Sequence, residues 1–287
     1  MRLLPYLRTA AGAAAISLLL SASTFAASPA QRIVSLNLCT DELLLRLADH
    51  AKVASVTWLS RNPSGSNVSD LAERVPINHG LAEQIIASDP DLVLAGTFTT
   101  RIAVGMLKRT AIPVVEFPVP RSFDEVRQQI GDVARLVQAE DRGRQLIDEI
   151  DRRIAAVAAK LRPLRPTAVV LNPNGATVGQ GTLADQVMTA AGLDNIAAKL
   201  RIDNYGQIPL EVVALHEVDV LIVSASRDDP PSKATEMLSH PILSKLTRTQ
   251  IVVLPGRLWN CGGPGVAEAV ERLDAVAADV VRARSAQ

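Results

Sequence analysis

The chain has 287 residues, 48% of them hydrophobic, with 30 basic and 30 acidic residues. This length suits two domains of ordinary size, and the apolar content is enough to build two cores. The formal net charge of zero argues against a nucleic-acid-binding protein, which needs a basic face, so we expect no nucleic-acid partner.

The first residues have the pattern of a secretory signal peptide. Arg2 and Arg8 give a positively charged start, residues 10–20 form an uncharged run rich in Ala and Leu, and residues 24–26 (TFA) fit a small-x-small cleavage site. The apolar run is shorter than the ~20 residues that a bilayer span needs, which favours export over a membrane anchor. We therefore expect residues 1–26 to be removed, with cleavage near Ala26.

Apolar runs alternate with helical patterns in the next part of the chain, which we assign to an N-terminal lobe at residues 27–121. The predicted strands are 33–36, 53–57, 92–95 and 114–117, and the predicted helices are 41–48, 81–88 and 100–110. Strands separated by helices predict a parallel sheet with helices on its faces.

Residues 122–163 are predicted to form a helical segment between two lobes. Ser122 followed by Glu125 is a capping-box signature for a helix start. We expect a soft interruption near Gly143, after which apolar residues recur at three- and four-residue steps over 146–161. That spacing is typical of one apolar stripe on a long helix.

The α/β pattern restarts in a C-terminal lobe at residues 164–287. Predicted strands are 168–171, 220–223 and 251–254, and predicted helices end at Ala191 and run from 265 to 282. The sequence therefore predicts an α/β fold of two Rossmann-like lobes with parallel sheets, joined by a single long α-helix.

An internal repeat supports two similar lobes. Residues 81–95 (LAEQIIASDPDLVLA) and 209–223 (PLEVVALHEVDVLIV) align without a gap, and each places a Glu, Glu83 or Glu211, in the first turn of a short helix. The helix dipole alone favours a Glu in that turn. The recurrence in both halves also gives two carboxylates on equivalent surfaces, to which a two-lobed partner with basic residues can dock.

In parallel α/β sheets the ligand lies beyond the carboxyl ends of the strands, so we expect a binding cleft there, between the lobes. The candidate ligand-binding residues follow predicted strands or precede helices: Cys39, Thr40, Trp58, Asn78, His79, Phe98, Arg101, Tyr205, Arg227, Trp259, Asn260 and Cys261. Two Trp at the rims of opposite lobes suit a large, flat, partly apolar ligand, although each can instead plug its own lobe. For His79 we favour a structural role as a turn residue ahead of a helix.

The two cysteines, Cys39 and Cys261, fall at cleft-facing strand ends, one in each lobe. They can be free thiols, soft ligands of a metal centre, or an inter-lobe disulfide. We favour free thiols, because a bridge fixes a cleft that must open.

Enzyme signatures are missing from the sequence. It has no Walker-type loop, no GxGxxG after either first strand, no GxSxG and no HExxH, and its four His are scattered. We therefore expect no catalytic residues, no resident metal and no cofactor.

The stretches RIVSLNLCTDELLLRLAD, HGLAEQIIASDPDLVLAG and LWNCGGPGVAEAVERL, together with the helical segment, resemble the periplasmic proteins that bind cobalamin or ferric siderophores for ABC importers. The resemblance covers essentially the whole mature chain. It implies a periplasmic, monomeric protein that binds a metal chelate in a shallow cleft. It also implies docking of Glu83 and Glu211 to Arg residues of an inner-membrane permease dimer with a cytoplasmic ATPase.

The resemblance implies ligand contacts as well. Aromatic residues pack on the corrin ring in cobalamin binders, and their late Trp matches Trp259. Their Trp ahead of the first docking Glu has no counterpart, because this chain has Asn78 and His79 there. Siderophore sites use Arg and Tyr, for which Arg101, Tyr205 and Arg227 are candidates.

Two other classes of protein compete with this interpretation. A metal-cluster or tetrapyrrole-chelatase-type metalloenzyme subunit can also have two α/β lobes and use cleft Cys as ligands, but export and only two Cys argue against it. An adhesion or scaffold protein has no positive support in the sequence.

Overall fold

The computed structural model describes residues 29–99, 101–160, 164–224, 236, 240–244 and 246–286. The expected signal peptide at 1–26 and the ligand candidate Arg227 lie outside these residues. Within the described ranges, none of the helices combines the length and the apolarity that crossing a bilayer requires.

The N-terminal lobe is built on a parallel sheet, as predicted. Its strands are β1 (Ile33–Ser35), β2 (Val53–Thr57), β3 (Ile77–Asn78), β4 (Leu92–Gly96) and β5 (Val114–Phe117). In the described part of the chain they pair in the order β3-β2-β1-β4-β5, all parallel. The helices of this lobe are α1 (Leu38–Leu47), α2 (Ser69–Ala72), α3 (Ala82–Ala87) and α4 (Arg101–Leu107). Buried residues of α1 pack on one face of the sheet, and those of α3 and α4 pack on the other.

The C-terminal lobe has a second parallel sheet and a small antiparallel one. Its strands are β6 (Thr167–Val170), β7 (Ala176–Val178), β8 (Asp194–Asn195), β9 (Tyr205–Gln207), β10 (Val220–Val223) and β11 (Gln250–Val253). Among the described residues, β11-β10-β6-β8 form the parallel sheet, and β7 pairs antiparallel with β9. The helices are α7 (Leu183–Ala190), α8 (Ile196–Lys199), α9 (Leu210–Leu215), α10 (Pro241–Ser244) and α11 (Gly265–Ser285).

The repeat seen in the sequence is a repeat of topology. β1, β4 and β5 lie side by side in one lobe, as β6, β10 and β11 do in the other. The repeated Asp of each segment has the same structural task. Asp91 accepts hydrogen bonds from the backbone N–H of Gln31 and Arg32, at 2.6 and 2.9 Å, ahead of β1. Asp219 accepts one from the backbone N–H of Thr167 at the start of β6, at 2.8 Å.

The helical segment between the lobes consists of two packed helices, α5 (Phe123–Leu136) and α6 (Glu140–Ala158). Ser122 caps α5, accepting a hydrogen bond from the backbone N–H of Glu125 at 3.1 Å. The helices break at Gln138, whose φ is 56°. The interruption thus falls ahead of Gly143, which instead lies inside α6 against α5. A Cβ on Gly143 would stand 2.6 Å from the Cβ of Ala134, so glycine allows the close approach of the two helices.

Candidate ligand-binding cleft

A cavity of about 930 Å³ lies where the two lobes meet. The N-terminal lobe contributes Thr97 and Phe98 after β4 and Pro118 and Val119 after β5, while Tyr205 comes from the C-terminal lobe. The wall thus contains residues at the carboxyl ends of parallel strands, where ligands bind in open α/β sheets.

A second cavity, of about 290 Å³, lies at the strand ends of the C-terminal lobe. Its wall includes Asn172 after β6, Ser224 after β10, and Trp259 and Asn260. The Ser224 hydroxyl donates a hydrogen bond to the Asn172 side-chain oxygen at 2.5 Å, which joins two of these strand ends. Tyr205 lines this cavity as well as the larger one, so the two form neighbouring compartments with a shared wall residue.

The antiparallel pair of β7 and β9 places Tyr205 at this position. Tyr205 stands opposite Val178 in that pair, and the backbone N–H of Gly179 donates to the carbonyl of Asn204 at 2.7 Å. A Cβ on Gly179 would lie 1.8 Å from the carbonyl oxygen of Ile202, so only glycine fits there. The close approach of these two backbone segments therefore depends on the glycine.

The aromatic candidates differ in their access to the cavities. Phe98 and Tyr205, from opposite lobes, are 83% and 67% exposed and line the same cavity. Trp259 also lines a cavity but is buried, with 6% exposure. Trp58 is half exposed and stacks on His79 with ring centroids 6.3 Å apart. The cavity at the seam, by which we mean the place where the two lobes meet, is thus flanked by Phe98 and Tyr205.

Two candidates are buried and hold the strand ends in place. The Thr40 hydroxyl lies 2.7 Å from that of Ser35. The Asn78 amide donates to the carbonyl of Ser35 and to the hydroxyl of Ser55, both at 2.9 Å. Their hydrogen-bonding groups are directed to neighbouring strands, and neither residue lines the two cavities. Thr40 was selected because it follows a predicted strand and Asn78 because it precedes a predicted helix, but neither position determines the direction of a side chain.

The prediction of free thiols is wrong. Cys39 and Cys261 form a disulfide, with their Cα atoms 5.0 Å apart. Cys39 lies in the first turn of α1, and Cys261 lies in the loop before α11. That loop is seated against the N-terminal lobe, so the bridge closes a contact between lobes that is already made by packing and hydrogen bonds.

Two buried carboxylates follow Cys39 in α1. Asp41 accepts hydrogen bonds from the backbone N–H and the hydroxyl of Thr57, which ends β2 just before Trp58. Burial raises the pKa of Asp41 to about 7, against the opposing effect of its hydrogen bonds. Burial also raises the pKa of Glu42, although Arg46 and Asn67 favour its charged form.

The charged candidates lie outside the two cavities. Arg101 is exposed at the start of α4. Glu83 and Glu211 are both exposed, and each is the second residue of a six-residue helix, α3 or α9. In the part of the chain that the structure describes, no group of three or more His, Cys, Asp or Glu side chains has an arrangement able to hold a metal ion.

The sequence reasoning missed several residues of the cavity walls. Val119 follows β5, so the strand-end rule that identified Phe98 was enough to find it. Asn204 precedes a three-residue strand with no signature of its own. In the sequence, the α5 residues Gln128 and Leu136 belong to an ordinary helix pattern with solvated and packed faces, which gives no indication of a ligand site.

Comparison with known proteins identifies the family. The model of the family described as "Periplasmic binding protein" matches residues 33–253. A cobalamin-binding protein of Halobacterium salinarum is 26% identical over 259 residues, covering 86% of this chain and 69% of that protein. A vitamin B12-binding protein of Yersinia pseudotuberculosis is 26% identical over 267 residues, 91% of each chain.

The fold is also found among solved structures. The periplasmic heme-binding protein RhuT from Roseiflexus sp. RS-1, in its apo form, superposes with a TM-score of 0.70 at 24% identity, covering 87% of this chain and 98% of that one. The family model spans 221 consecutive positions, well over half of the 287 residues. This chain therefore belongs to the periplasmic binding protein family.

Proposed function

We propose that this protein is the substrate-binding component of an ABC importer and that it captures a metal chelate of the macrocyclic, corrinoid or heme type. The observation that carries the proposal is the cavity at the seam, flanked by Phe98 and Tyr205 from opposite lobes. Its volume of about 930 Å³ and the adjoining 290 Å³ together suit a ligand larger than a simple ion or an amino acid.

The lining of the cavity favours a ligand with an apolar face. Aromatic side chains bind flat, partly apolar surfaces through burial and through offset or edge-to-face contacts. All three acidic side chains in the larger wall already have basic partners: Glu125 lies 3.8 Å from Arg121 and Asp132 pairs with Arg135, both within the wall, and Glu116 pairs with Lys108 outside it. The cobalamin- and vitamin B12-binding relatives and the heme-binding protein of the same fold support the same ligand class.

The proposal extends to location and partners. The charged, apolar and small-residue pattern of residues 1–26 supports export, with cleavage near Ala26, and the family is periplasmic. Glu83 and Glu211 occupy equivalent, exposed positions on the two lobes, which suits docking to a permease dimer that offers a basic residue to each. The chain acts as a monomer with no cofactor of its own and no catalytic activity.

The direct test is calorimetric titration of the mature protein, from residue 27, with cyanocobalamin, hemin and a ferric hydroxamate in separate experiments. We expect binding of cyanocobalamin or hemin. Phe98→Ala and Tyr205→Ala should each weaken it roughly tenfold, since an aromatic contact contributes about 1 kcal/mol or more beyond its buried area. Ile251→Ala is the matched control, because Ile251 is an exposed apolar residue of β11 that lines neither cavity.

The ligand class is refuted if only the ferric hydroxamate binds. A protein that binds none of the three chelates, but holds stoichiometric metal as purified, instead supports a metalloenzyme subunit. If the Phe98 and Tyr205 variants bind with the same affinity as wild type, the ligand does not bind in the seam cavity.

A further inference from the structure

Residues 256–265 belong to the C-terminal lobe by chain position, yet they are anchored in the N-terminal lobe. We call this segment the clasp. It connects the end of the C-terminal sheet to α11, and its Trp259 and Asn260 line the smaller cavity. The residues on either side of that pair are fastened across the seam.

The covalent fastening is the disulfide. Cys261, immediately after Asn260, is bonded to Cys39 in α1, across 222 positions of sequence. Cys39 Sγ also lies 3.8 Å from the carbonyl oxygen of Asn260. Asn260, which lines the cavity, is therefore the direct chain neighbour of a residue that is covalently linked to the opposite lobe.

A reciprocal amide contact fastens the other side of the pair. Asn67 of the N-terminal lobe donates to the carbonyl of Arg257 and accepts from its guanidinium, both at 2.7 Å. The same Asn67 amide donates to the buried carboxylate of Glu42 at 3.2 Å, and Arg46 donates to the carbonyl of Asn67, also at 3.2 Å. Glu42 thus holds the side chain of Asn67 and Arg46 holds its backbone carbonyl, which fixes the contact with Arg257.

The glycines of the clasp allow it to lie directly on the N-terminal lobe and on the start of α5. A Cβ on Gly262 would be 2.9 Å from Pro120 and 3.0 Å from Val126. A Cβ on Gly263 would be 2.7 Å from a carboxylate oxygen of Glu42. Backbone-to-surface contact of this kind leaves little freedom for the neighbouring Trp259.

We infer that the Cys39–Cys261 disulfide is a positioning element of the ligand site: it holds Trp259 and Asn260 in their cavity-lining conformation. Together with the Asn67–Arg257 contact, it preorganises this wall before a ligand arrives. The effect on affinity rests on the proposed chelate-binding function, whereas the effect on Trp259 does not. Preorganisation raises affinity because the ordering of the side chains is not left to the binding step.

A disulfide that closes so long a loop also stabilises the fold, so the test must separate positioning from stability. The key variant is Cys39→Ser with Cys261→Ser. Its binding of cyanocobalamin and hemin is compared with that of wild type by calorimetry. Gly143→Ala, whose added Cβ meets Ala134 and Ile130 of α5 and no residue of the clasp, serves as a destabilised control with an intact disulfide.

The second readout needs no ligand. In a Trp58→Phe background, Trp259 is the remaining Trp of the chain, and acrylamide quenching of its fluorescence reports its exposure. Dithiothreitol reduces the wild-type bridge to two thiols and is itself oxidised to its cyclic disulfide, and reoxidation after its removal should reverse the change.

We expect the double Ser variant to bind roughly tenfold more weakly, as freeing two cavity side chains predicts, and its Trp259 to become more accessible to acrylamide. The Gly143→Ala control should change neither quantity, and reoxidation of reduced wild type should restore both. Unchanged quenching of Trp259 in the double variant would overturn the inference. If no chelate binds wild type, yet quenching rises when the bridge is lost, the ligand assignment fails while the positioning role stands.

Discussion

The buried carboxylate of Asp41 predicts an unusual dependence of stability on pH. Burial raises its pKa from an ordinary value of 3.8 to about 7 in the folded protein. Between these two values the folded chain holds a proton that the unfolded chain has released. The unfolding free energy therefore falls as the pH rises through this window. Asp41 contributes its full stabilisation below about pH 4 and loses it as the pH passes 7.

The size of the effect follows from the same two values. One pKa unit corresponds to about 1.4 kcal/mol, so a rise from 3.8 to about 7 corresponds to about 4 kcal/mol of unfolding free energy between the two ends of the window. Glu42, whose pKa is also raised by burial, acts with the same sign. A direct comparison with a variant is needed to isolate Asp41.

The variant Asp41→Asn removes the ionisation and keeps a side-chain oxygen that can accept from Thr57. We expect Asp41→Asn and wild type to have similar stability below about pH 4, where Asp41 is neutral in both the folded and the unfolded chain. Near pH 8 the variant should be the more stable, by up to about 4 kcal/mol.

Urea unfolding of both proteins at half-unit steps from pH 4 to pH 8 measures the difference at each pH. Asp70→Asn, which removes an exposed carboxylate at the start of α2, controls for the loss of one charge. A difference between wild type and Asp41→Asn that is constant over this range refutes the reasoning. So does a variant that becomes less stable than wild type as the pH rises, because Asp41 would then be held in its charged form by Thr57.

Two further predictions concern helix packing and docking. Gly131→Ala in α5 should stabilise the protein by up to about 1 kcal/mol, because Ala has the higher helix propensity and a Cβ at this position meets nothing within 4 Å. Gly143→Ala in α6 should destabilise it by about 1–3 kcal/mol, because the added Cβ collides with Ala134. Urea unfolding measures both changes. Glu83→Gln with Glu211→Gln should abolish chelate uptake by cells while leaving chelate affinity unchanged, because both residues lie outside the two cavities. The exposed pair Glu73→Gln with Glu217→Gln is the matched control, and a fall in affinity of the Glu83/Glu211 variant would place these residues in the ligand site.

The sheets were predictable because buried parallel strands leave a strong local signal. The apolar runs at Val53–Thr57 and Val220–Val223 were located to the residue. The β7–β9 pair was not predicted, because strands of three residues have too short a pattern, and yet it carries Tyr205 into the cleft. Local periodicity thus predicts the framework better than the parts that reach the ligand.

The wrong predictions about Gly143 and the two cysteines have a common physical cause: the sequence alone does not specify which residues come into contact in three dimensions. Gly143 was expected to interrupt a helix, but its missing side chain serves the packing of α6 on α5, and the break occurs at Gln138. Cys39 and Cys261 were both placed at the cleft, but nothing in a separation of 222 residues indicates a Cα distance of 5.0 Å. The argument against a bridge assumed that the cleft must open at this point, whereas the loop that carries Cys261 is held against the N-terminal lobe.

Those contacts form a second path between the lobes besides the chain itself. Arg142 of α6 pairs with Asp49 of the N-terminal lobe at 3.1 Å. On the other side, Arg153 of α6 donates two hydrogen bonds to Glu271 of α11, at 2.9 and 2.7 Å. The helical segment is thus tied to both lobes by side chains, and α11 continues directly from the clasp.

Wide opening of the cleft would therefore have to separate the clasp from the N-terminal lobe, where the disulfide and the Asn67–Arg257 contact hold it. Discrimination between ligands then depends on side chains that can move while the lobes stay in place. Phe98 and Tyr205 are the most exposed aromatic residues of the cavity walls, and each turns about two side-chain torsions. Rotation of these two rings can admit or exclude a flat macrocycle without a hinge motion. A rigid seam with mobile aromatic walls is consequently the arrangement by which we expect this protein to select its chelate.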